Sequence, residues 1–333
     1  MPTEPELTHP TVSVLIVNYN SGQFVRRAVE MLARQTFRDF EVIVIDNGST
    51  DDSANGLERK APPVFVIRSS RNLGFAAGNN RAAQQARGRW LALLNPDAFP
   101  EPGWLAALVG ASEKHPAFAM FGSKLVLEGD RGSLDGLGDV YHVSGMYWRE
   151  GQGQPLSSFI DEPREIFAPC AAAALYRRDA FRAAGGFDED FFCYGEDIDL
   201  GFRLRLAGHR ALYVPDAVVY HVHSGTTGRY SDFSVYHGHR NLVWTYVKNM
   251  PGILFWTYLP FHLILNAASV VALARRGQAT VVMRAKWDAL RGLPRMIAKR
   301  AAIQKERRVT VRSLLRLMAR GWPDRARAVS APL

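Results

Sequence analysis

The amino-acid sequence predicts an α/β fold: a doubly wound, mostly parallel sheet with helices on both faces. Four short apolar runs lie within the first hundred residues, at 12–17, 41–46, 64–67 and 90–94. Runs that are apolar at almost every position are typical of strands buried on both faces of a parallel sheet. Helix-like stretches separate these runs, and this alternation is typical of a doubly wound sheet.

The other elements are predicted from apolar spacing and from the residues that begin and end helices. Helix-like stretches occupy residues 22–36, about 50–60, and 74–87. The glycine-rich segment from about 125 to 165 predicts loops and short strands over the site. Beyond it we expect a strand leading into a helix at 170–182, an amphipathic helix at 197–207 ended by Gly208, and a strand at 211–220 ending at His221.

Polar residues follow three of the apolar runs at the point where each strand is predicted to end. They are Asn18-Tyr19-Asn20, Asp46-Asn47-Gly48-Ser49 and Asn95-Pro96-Asp97. Ligands of open α/β sheets bind at the carboxyl ends of the strands. We therefore expect the three clusters to converge on one crevice.

The formal net charge of +9 is unevenly distributed along the 333 residues. Residues 275–333 contain 16 Lys and Arg against 3 Asp and Glu, a net charge of +13, whereas residues 1–274 have a net charge of −4. A basic segment attached to a mildly acidic body indicates an anionic partner, either nucleic acid or a membrane surface.

The two cysteines and the N-terminus favour a reducing compartment. Cys170 and Cys193 form no CxxC pair, so we expect reduced thiols and neither a disulfide framework nor a structural zinc site. Residues 1–10 have no basic start and no apolar core, so a signal peptide is not expected. The catalytic part should then stay on the cytoplasmic side.

Asp46 and Asp97 are candidate ligand-binding carboxylates. Either one alone is also explained as a turn or helix-cap aspartate, which is common after a strand. The functional alternative is that they hold a nucleobase or a divalent cation. Mg²⁺ and Mn²⁺ take oxygen ligands and bind through one or two carboxylates plus substrate phosphates.

The segment Gly195-Glu196-Asp197-Ile198-Asp199 places three carboxylates at the start of a predicted helix. Acids in a first turn often only complement the helix dipole. The aromatic run at 191–194 directly precedes them, however, and it would desolvate a neighbouring carboxylate and raise its pKa toward the range of a general base. Both interpretations stay open from the residues alone.

Two weaker patterns complete the candidate residues. His221 and His223 lie on one face at the end of a strand, either as polar edge residues or with one imidazole completing a metal site begun by Asp97. The loop from Asn72 to Asn80 is neither GxGxxG nor a P-loop, although the N-terminus of the helix that follows could hold phosphate.

Taken in order, these motifs resemble those of glycosyltransferase family 2, which has the GT-A fold, and in particular its bacterial rhamnosyltransferase-like branch. The resemblance runs from about Val12 to Val243, about two-thirds of the chain. Six motifs carry it: Val-Asn-Tyr-Asn-Ser (17–21), Ile-Asp-Asn-Gly-Ser-Thr-Asp (45–51), Arg-Asn-Leu-Gly-Phe-Ala-Ala-Gly-Asn-Asn (71–80), Leu-Asn-Pro-Asp (94–97), Gly-Gly-Phe-Asp-Glu-Asp-Phe-Phe (185–192) and Tyr-Gly-Glu-Asp-Ile-Asp-Leu (194–200).

The resemblance implies a GT-A catalytic domain at residues 1–249 and an apolar, then basic helical extension at 250–333. It implies an inverting transfer of a sugar from a nucleotide diphosphate, with Mg²⁺ or Mn²⁺ as cofactor. Asp197 would be the catalytic base, with Glu196 beside it, and Asp46 would contact the nucleobase.

The remaining implied roles concern the nucleotide-sugar pocket and the metal. The pocket would be lined by Asn18, Asn72, Gly74, Gly78, Asn79 and Asn95. The metal would be bound by Asp97 and His221, with His223 as the alternative to His221. Asn-Pro-Asp supplies one carboxylate where the family usually has two, in Asp-x-Asp. The form with one carboxylate is common in this branch.

The resemblance also implies the substrates. The donor would be dTDP-L-rhamnose, with UDP-hexoses as the alternative. The acceptor would be a saccharide or a polyprenyl-linked glycan used in cell-surface polysaccharide synthesis.

Residues 253–274 are uncharged and have the length of a membrane span. Pro260, His262 and Asn266 argue against a span, and a span would place the catalytic domain on the side opposite the basic tail. We expect an interfacial or re-entrant segment followed by basic helices on anionic lipid. A buried helical hairpin and a true span are the alternatives. The expected location is the inner face of the cytoplasmic membrane.

Three other functional classes are considered. A nucleic-acid-binding protein would fit the basic tail, but no recognisable binding motif is present, and no nucleic-acid partner is expected. A sugar nucleotidyltransferase would usually have a Gly-rich, basic loop near the N-terminus. A catalytically silent sugar-binding protein would lack donor hydrolysis.

Overall fold

The computed structural model describes residues 9–60, 62–222 and 231–321. The strands are β1 (Val12–Asn18), β2 (Phe40–Asp46), β3 (Val64–Arg68), β4 (Trp90–Leu94), β5 (Ala98–Pro100), β6 (Phe118–Leu127), β7 (Asp130–Gly136), β8 (Asp139–Tyr141), β9 (Tyr147–Arg149), β10 (Arg164–Ile166), β11 (Ala173–Arg177) and β12 (Arg210–His221). The α-helices are α1 (Phe24–Ala33), α2 (Gly74–Gln85), α3 (Trp104–Lys114), α4 (Arg178–Ala183), α5 (Glu196–Leu206), α6 (Asp232–Asn249), α7 (Gly252–Arg275), α8 (Ala279–Arg291), α9 (Leu293–Lys305) and α10 (Val311–Leu317).

The main sheet has the strand order β10-β12-β6-β11-β4-β1-β2-β3. The pairs β1–β2, β1–β4, β2–β3 and β6–β12 are parallel, and β11 runs antiparallel between β4 and β6. Because β1, β2 and β4 are parallel neighbours, their carboxyl ends lie at one edge of the sheet. This confirms the predicted mixed α/β fold and the shared edge of the three polar clusters.

Alternate residues of the central strands pack into two separate cores, one on each face of the sheet. Val14 and Ile16 of β1 belong to the core that α1 and α3 cover. Leu15 of β1 belongs to the core that α2 covers. Side chains alternate across a strand, so a strand that is apolar at every position needs helices on both faces, as predicted.

Two predicted helices differ from the structure. Residues 50–60 form turns and a 3-10 helix at Leu57–Arg59, not an α-helix. Asp51 accepts hydrogen bonds from the backbone and hydroxyl of Ser53, and Asp52 accepts one from Asn55. Such local side-chain hydrogen bonds compete with those of a helix.

The second difference concerns α5, which is buried on every side and is not an amphipathic surface helix. Its two arginines are buried because each has several partners. Arg203 pairs with Asp199 and donates to the backbone oxygen of Gly186. Arg205 pairs with Glu165 and donates to the backbone oxygen of Phe167. Charged residues at helical spacing therefore do not indicate an exposed face here.

The segment before the site contains one long strand that the sequence analysis did not predict. β6 lies between β11 and β12, and it ends where the glycine-rich segment begins. Beyond it, β7, β8 and β9 are the expected short strands. They supply side chains to the site from a part of the chain that has no recognisable motif.

The C-terminal region is helical, as predicted. α8 and α9 pack against α6, and α7 packs against α8. α7 buries Leu254, His262, Ser269 and Leu273 on one side. Within the described residues, α7 is the only helix long and apolar enough to cross a membrane.

Candidate functional site

The loops after β1 and β2 are joined by the side chain of Asn18. Asn18 is fully buried and donates to the hydroxyls of Ser49 at 3.2 Å and Ser53 at 2.9 Å. Its amide oxygen accepts from Ser21. Neighbouring loops use both ends of the Asn18 amide, so Asn18 shapes the crevice; its predicted place in the lining of the nucleotide pocket stays a prediction.

The loops after β2 and β3 are also in direct contact. Asn47 is buried, donates to Asn72 at 3.0 Å and accepts from the backbone of Leu73 at 2.9 Å. Gly48 has a φ of +76°, and an added Cβ would lie 2.6 Å from the backbone of Arg71. Sequence analysis did not select Asn47, although it lies in the second polar cluster. Asp46 beside it is half-buried and accepts one hydrogen bond, from the amide of Ser49 at 3.3 Å.

The start of α2 contains the other predicted pocket residues, and they fall into two groups. Asn72 accepts from the amide of Gly74 at 2.8 Å, and Gly74 has a φ of +81° with no room for a Cβ against Phe192. Gly78 instead packs directly against Val17, and buried Asn79 donates to the backbone of Phe75 at 3.0 Å.

The second group has a structural role. Gly78 and Asn79 lie inside α2, and Gly78 packs against β1, so they serve the packing of helix on sheet; their place in the nucleotide pocket stays a prediction. Glycine is needed at 78 because the helix approaches the strand more closely than a side chain would allow.

Four charged side chains form a connected row at the end of β4. His221 Nε2 lies 3.3 Å from Asp97 Oδ1, and its Nδ1 lies 2.7 Å from Asp135 Oδ2. The same Asp135 oxygen accepts from Arg149 at 2.7 Å. Asp97, Asp135 and His221 are all buried. His223, the alternative metal ligand, lies outside the described residues.

The row is strongly polarised. Burial would raise the pKa of Asp97, but the facing His221 lowers it below its usual value. Burial alone would lower the pKa of His221, but Asp97 and Asp135 raise it to about 9. Asp97 is therefore held as a carboxylate at neutral pH, which is the form that binds a cation. A cation bound at His221 Nε2 would displace the proton that this nitrogen shares with Asp97.

The residues around Asp97 fit a hard divalent cation. Asn95 has a buried side-chain oxygen with no hydrogen-bond partner in the part of the chain described, and its amide nitrogen lies 3.5 Å from His221 Nε2. An imidazole whose other nitrogen is bonded to a carboxylate is the usual arrangement of a metal-binding histidine. Asp97, Asn95 and His221 thus offer one carboxylate, one amide oxygen and one imidazole.

Glu196 and Asp197 differ sharply although they are adjacent. Glu196 is buried, and one of its oxygens lacks a partner among the described residues. Burial and then the charge of Asp197 raise the pKa of Glu196 well above its usual value. Asp197 is half-buried and accepts from the amide of Ala171 at 3.3 Å. The more accessible carboxylate is therefore Asp197.

The turn before Glu196 requires glycine. Gly195 has a φ of +77°, and an added Cβ would collide with the hydroxyl of Tyr147. Tyr147, from β9, is half-buried, and its hydroxyl has no hydrogen-bond partner within the described ranges. Tyr147 therefore packs directly against the turn that leads into the acidic pair.

A second acidic cluster surrounds Asp197. Ligand atoms of Asp139, Cys170 and Asp197 lie within 4.8 Å of one another, close enough to hold a metal ion. Burial and then the charge of Asp197 raise the pKa of Asp139, and burial raises the pKa of the Cys170 thiol. The guanidinium of Arg149 already acts on all three groups. We favour the Asp97 site for a cation because Asp97 is held ionised, whereas burial raises the pKa of Asp139 and of the Cys170 thiol and so disfavours their ligand forms.

Sequence analysis missed Asp135, Asp139 and Arg149, which come from short strands in the glycine-rich segment. No motif identifies them. The available signal is weak: Asp135 and Arg149 are charges directly after the apolar Leu134 and Trp148.

Comparisons with known proteins identify related families and folds. Residues 13–185 match the model of "Glycosyl transferase family 2", and residues 165–285 match that of "Glycosyl transferase family group 2". An N-acetylglucosaminyl-diphospho-decaprenol L-rhamnosyltransferase of Mycobacterium tuberculosis is 31% identical over 238 residues, which cover 65% of this chain and 77% of that protein.

Two solved structures have a similar fold. GalNAc-T7 with UDP, GalNAc and Mn²⁺ matches with a TM-score of 0.58 and 20% identity, over 72% of this chain and 48% of that chain. TarS of S. aureus in complex with UDP-GlcNAc matches with a TM-score of 0.56 and 18% identity, over 93% of both chains.

Proposed function

The chain belongs to glycosyltransferase family 2 and uses a nucleotide-sugar donor, and we propose that it transfers L-rhamnose from dTDP-L-rhamnose to a polyprenyl-linked glycan, with inversion and with Mg²⁺ or Mn²⁺ bound. The observation that supports this best is the buried pair of Asp97 and His221, which keeps a single carboxylate ionised at the end of β4.

Each end of the donor has a candidate partner. Asp46 recognises the nucleobase, because it is the accessible carboxylate at the end of β2. Asn72 and Gly74 shape the loop that leads into the N-terminus of α2, a position that favours phosphate. Asp97 and His221 would hold the cation, with Asn95 beside them, and a bound cation would neutralise the charge of the leaving diphosphate.

Asp197 acts on the acceptor. Its carboxylate removes the proton from the acceptor hydroxyl as that oxygen attacks the anomeric carbon. The new glycosidic bond forms on one face of the sugar while the bond to the diphosphate breaks on the other, so the configuration inverts. A retaining double displacement needs a second carboxylate on the opposite face of the sugar. Glu196 is adjacent to Asp197 in the chain and is buried, which supports inversion.

The name of the mycobacterial relative supports rhamnose and a lipid-linked acceptor. The UDP-GlcNAc in the TarS complex keeps a UDP-hexose as the second candidate donor. The decisive test is a transfer assay with N-acetylglucosaminyl-diphospho-polyprenol as acceptor. We expect turnover with dTDP-L-rhamnose that depends on Mn²⁺. We expect no turnover with UDP-GlcNAc. Turnover with the UDP-sugar alone would overturn the rhamnose assignment.

The C-terminal helices support docking on an anionic membrane from the cytoplasmic side. α7 exposes Trp256 at 69% and α8 exposes Trp287 at 59%. Arg275 and Arg291 are exposed on the same two helices. Exposed aromatic and apolar side chains next to arginines are typical of helices that lie in the membrane interface. His262 is buried against the backbone oxygen of Ser144, so α7 keeps one side on the protein.

Only part of the basic tail is available to lipid. Lys299 pairs with Asp188 at 2.5 Å and with Asp190 at 2.7 Å, and Arg295 pairs with Asp190 at 2.9 Å. The membrane would therefore be recognised by the exposed arginines. The net charge of residues 275–333 overstates the attraction of this segment to anionic lipid.

A further inference from the structure

The backbone just before the acidic pair is unusual. Phe192 has a φ of 64° with a ψ of −62°, and Tyr194 has a φ of 68°. L-residues with side chains rarely adopt this left-handed region, and they persist there only when the surroundings hold them. Among the described residues, only Asn20 shares this property outside glycine. Two of the three strained positions therefore lie within five residues of Asp197.

One side chain from α6 holds this backbone. The amide nitrogen of Asn241 donates to the backbone oxygens of Phe191 at 3.0 Å, Cys193 at 3.0 Å and Tyr194 at 2.7 Å. Asn241 is fully buried. The carbonyls of Phe191 and Cys193 lie on either side of Phe192, and the third acceptor is the carbonyl of Tyr194. The amide of Asn241 therefore contacts the backbone along the whole strained stretch.

The orientation of that amide is fixed by the preceding residue. Arg240 Nε donates to the amide oxygen of Asn241 at 2.9 Å, so the amide nitrogen must face the carbonyls. The same guanidinium donates to the backbone oxygens of Asp190 at 3.0 Å and Phe191 at 2.9 Å. Two consecutive residues of α6 thus hold the chain from 190 to 194.

α6 is itself anchored, so the contacts are made from a rigid element. Trp244 donates to the backbone of Ala289 in α8 at 3.0 Å. Lys248 pairs with Asp188 at 2.5 Å and with Asp199 of α5 at 2.7 Å. The helix that carries Asn241 is therefore tied to both sides of the acidic pair, before it and after it.

We propose that Asn241 is a positioning residue for Asp197: it holds the left-handed backbone that sets where α5 begins and so where the carboxylate points. Arg240 orients Asn241. This inference rests on the proposed role of Asp197 as the base. A misplacement of about 1 Å at a reacting group costs about 100-fold in rate, so the loss should appear in kcat and not in donor binding.

The test compares Asn241→Ala with two control variants on the same helix. Thr245→Val removes a buried hydroxyl that has no partner within the described residues, and Leu242→Ala removes buried apolar atoms. Leu242→Ala should lower the melting temperature without touching the 190–194 backbone. For each protein we would measure the melting temperature, the KM for the donor, kcat, and hydrogen exchange of residues 190–197.

Asn241→Ala should lower kcat by about 10- to 100-fold with an unchanged KM for the donor, and residues 190–197 should exchange faster. Both control variants should keep the wild-type kcat. An unchanged kcat or unchanged exchange in Asn241→Ala overturns the inference, as does an equal fall in kcat in Leu242→Ala.

A second variant covers the case in which Asn241→Ala does not fold. Arg240→Gln leaves the Asn241 side chain in place but removes the guanidinium that orients it. It should give a smaller fall in kcat than Asn241→Ala and the same faster hydrogen exchange of residues 190–197. If wild-type protein shows no transfer from any nucleotide sugar, the proposed function fails, whereas the hydrogen-exchange comparison still decides whether Asn241 holds this backbone.

Discussion

His221 Nδ1 lies 2.7 Å from a carboxylate oxygen of Asp135, and this contact fixes which ring nitrogen faces Asp97. Sequence reasoning found His221 and Asp97 but not Asp135, which comes from a different strand 86 residues away. The contact makes Asp135 the residue that orients the proposed metal ligand.

Asp135→Asn should therefore weaken metal binding without removing a ligand. The amide can no longer accept the imidazole proton as a carboxylate does, and the loss of such a partner typically costs about 10- to 100-fold in metal affinity. Titration of Mn²⁺ by calorimetry, in the presence of dTDP, measures it. Asp97→Ala is the comparison and should have the larger effect. Wild-type affinity in Asp135→Asn would contradict the orienting role.

Asp197→Asn should keep donor affinity and lose turnover. The amide has nearly the same shape but cannot accept the acceptor proton, and general base catalysis contributes about 100- to 10,000-fold. The adjacent Glu196→Gln is the matched control. Burial raises the pKa of Glu196 and hides its side chain, so its amide replacement should retain most of the turnover. If Glu196→Gln is the inactive variant and Asp197→Asn is active, the two roles are reversed.

Asp46→Ala should weaken nucleotide binding through the base. Asp46 lies at the sheet edge with one backbone contact of its own, so little structure depends on it. Affinities for dTDP and UDP, measured by calorimetry with and without Mn²⁺, should fall in both conditions. An effect seen only with the metal would move Asp46 from base recognition to the cation site.

Asp188→Asn should make stability less dependent on pH. Burial would raise the pKa of Asp188, but Lys248 and Lys299 hold it well below its usual value. The ionised form therefore stabilises the fold fully above about pH 4, the unfolded value, and this stabilisation is lost as the pH falls further.

Breaking this buried pair should cost about 3 kcal/mol in the free energy of unfolding at pH 7, the low end for such pairs, because Lys248 keeps Asp199. Urea unfolding at pH 7 and at pH 3 measures the difference between wild type and variant. The difference in the free energy of unfolding should be smaller at pH 3 than at pH 7. An equal difference at both pH values would mean that the ion pair of Asp188 does not cause it.

The double variant Trp256→Ser with Trp287→Ser should lose binding to anionic vesicles. Both indoles are exposed on the helices proposed to lie in the membrane interface. Phe65→Ser is the matched control, since Phe65 is 52% exposed on β3, away from those helices. Sedimentation with phosphatidylserine vesicles at low and physiological salt measures binding. Equal sedimentation of all three proteins would remove the proposed docking surface.

Much of the fold follows from local pattern. The four strands predicted from apolar runs match β1 to β4 within about one residue, because a strand buried on both faces must be apolar throughout. The helix predicted at 50–60 was wrong because the side chains of Asp51 and Asp52 accept hydrogen bonds from Ser53 and Asn55. These local hydrogen bonds compete with those of a helix, and the spacing of apolar residues does not reveal them.

The predicted site residues differ in what their side chains contact, which position in the sequence does not determine. Asp46, Asn95 and Asp197 are only partly buried, and buried Asp97 faces His221. Asn18 and Asn79 follow the same kinds of signal but are buried with their amides bonded inside the fold. A polar residue at a strand end is expected both where a ligand binds and where two loops are joined.

The sequence by itself determined the α/β class, the family, the polar edge of the sheet and the acidic pair at the start of α5, because each depends on residues close together in the chain. Only the tertiary structure decided that Asp135 faces His221 and that Asn241 holds the backbone before Asp197. Those contacts join residues far apart in sequence, so they depend on how the strands and helices pack. The periodicity of a sequence indicates which face of a strand or helix is buried, but not which element packs against that face.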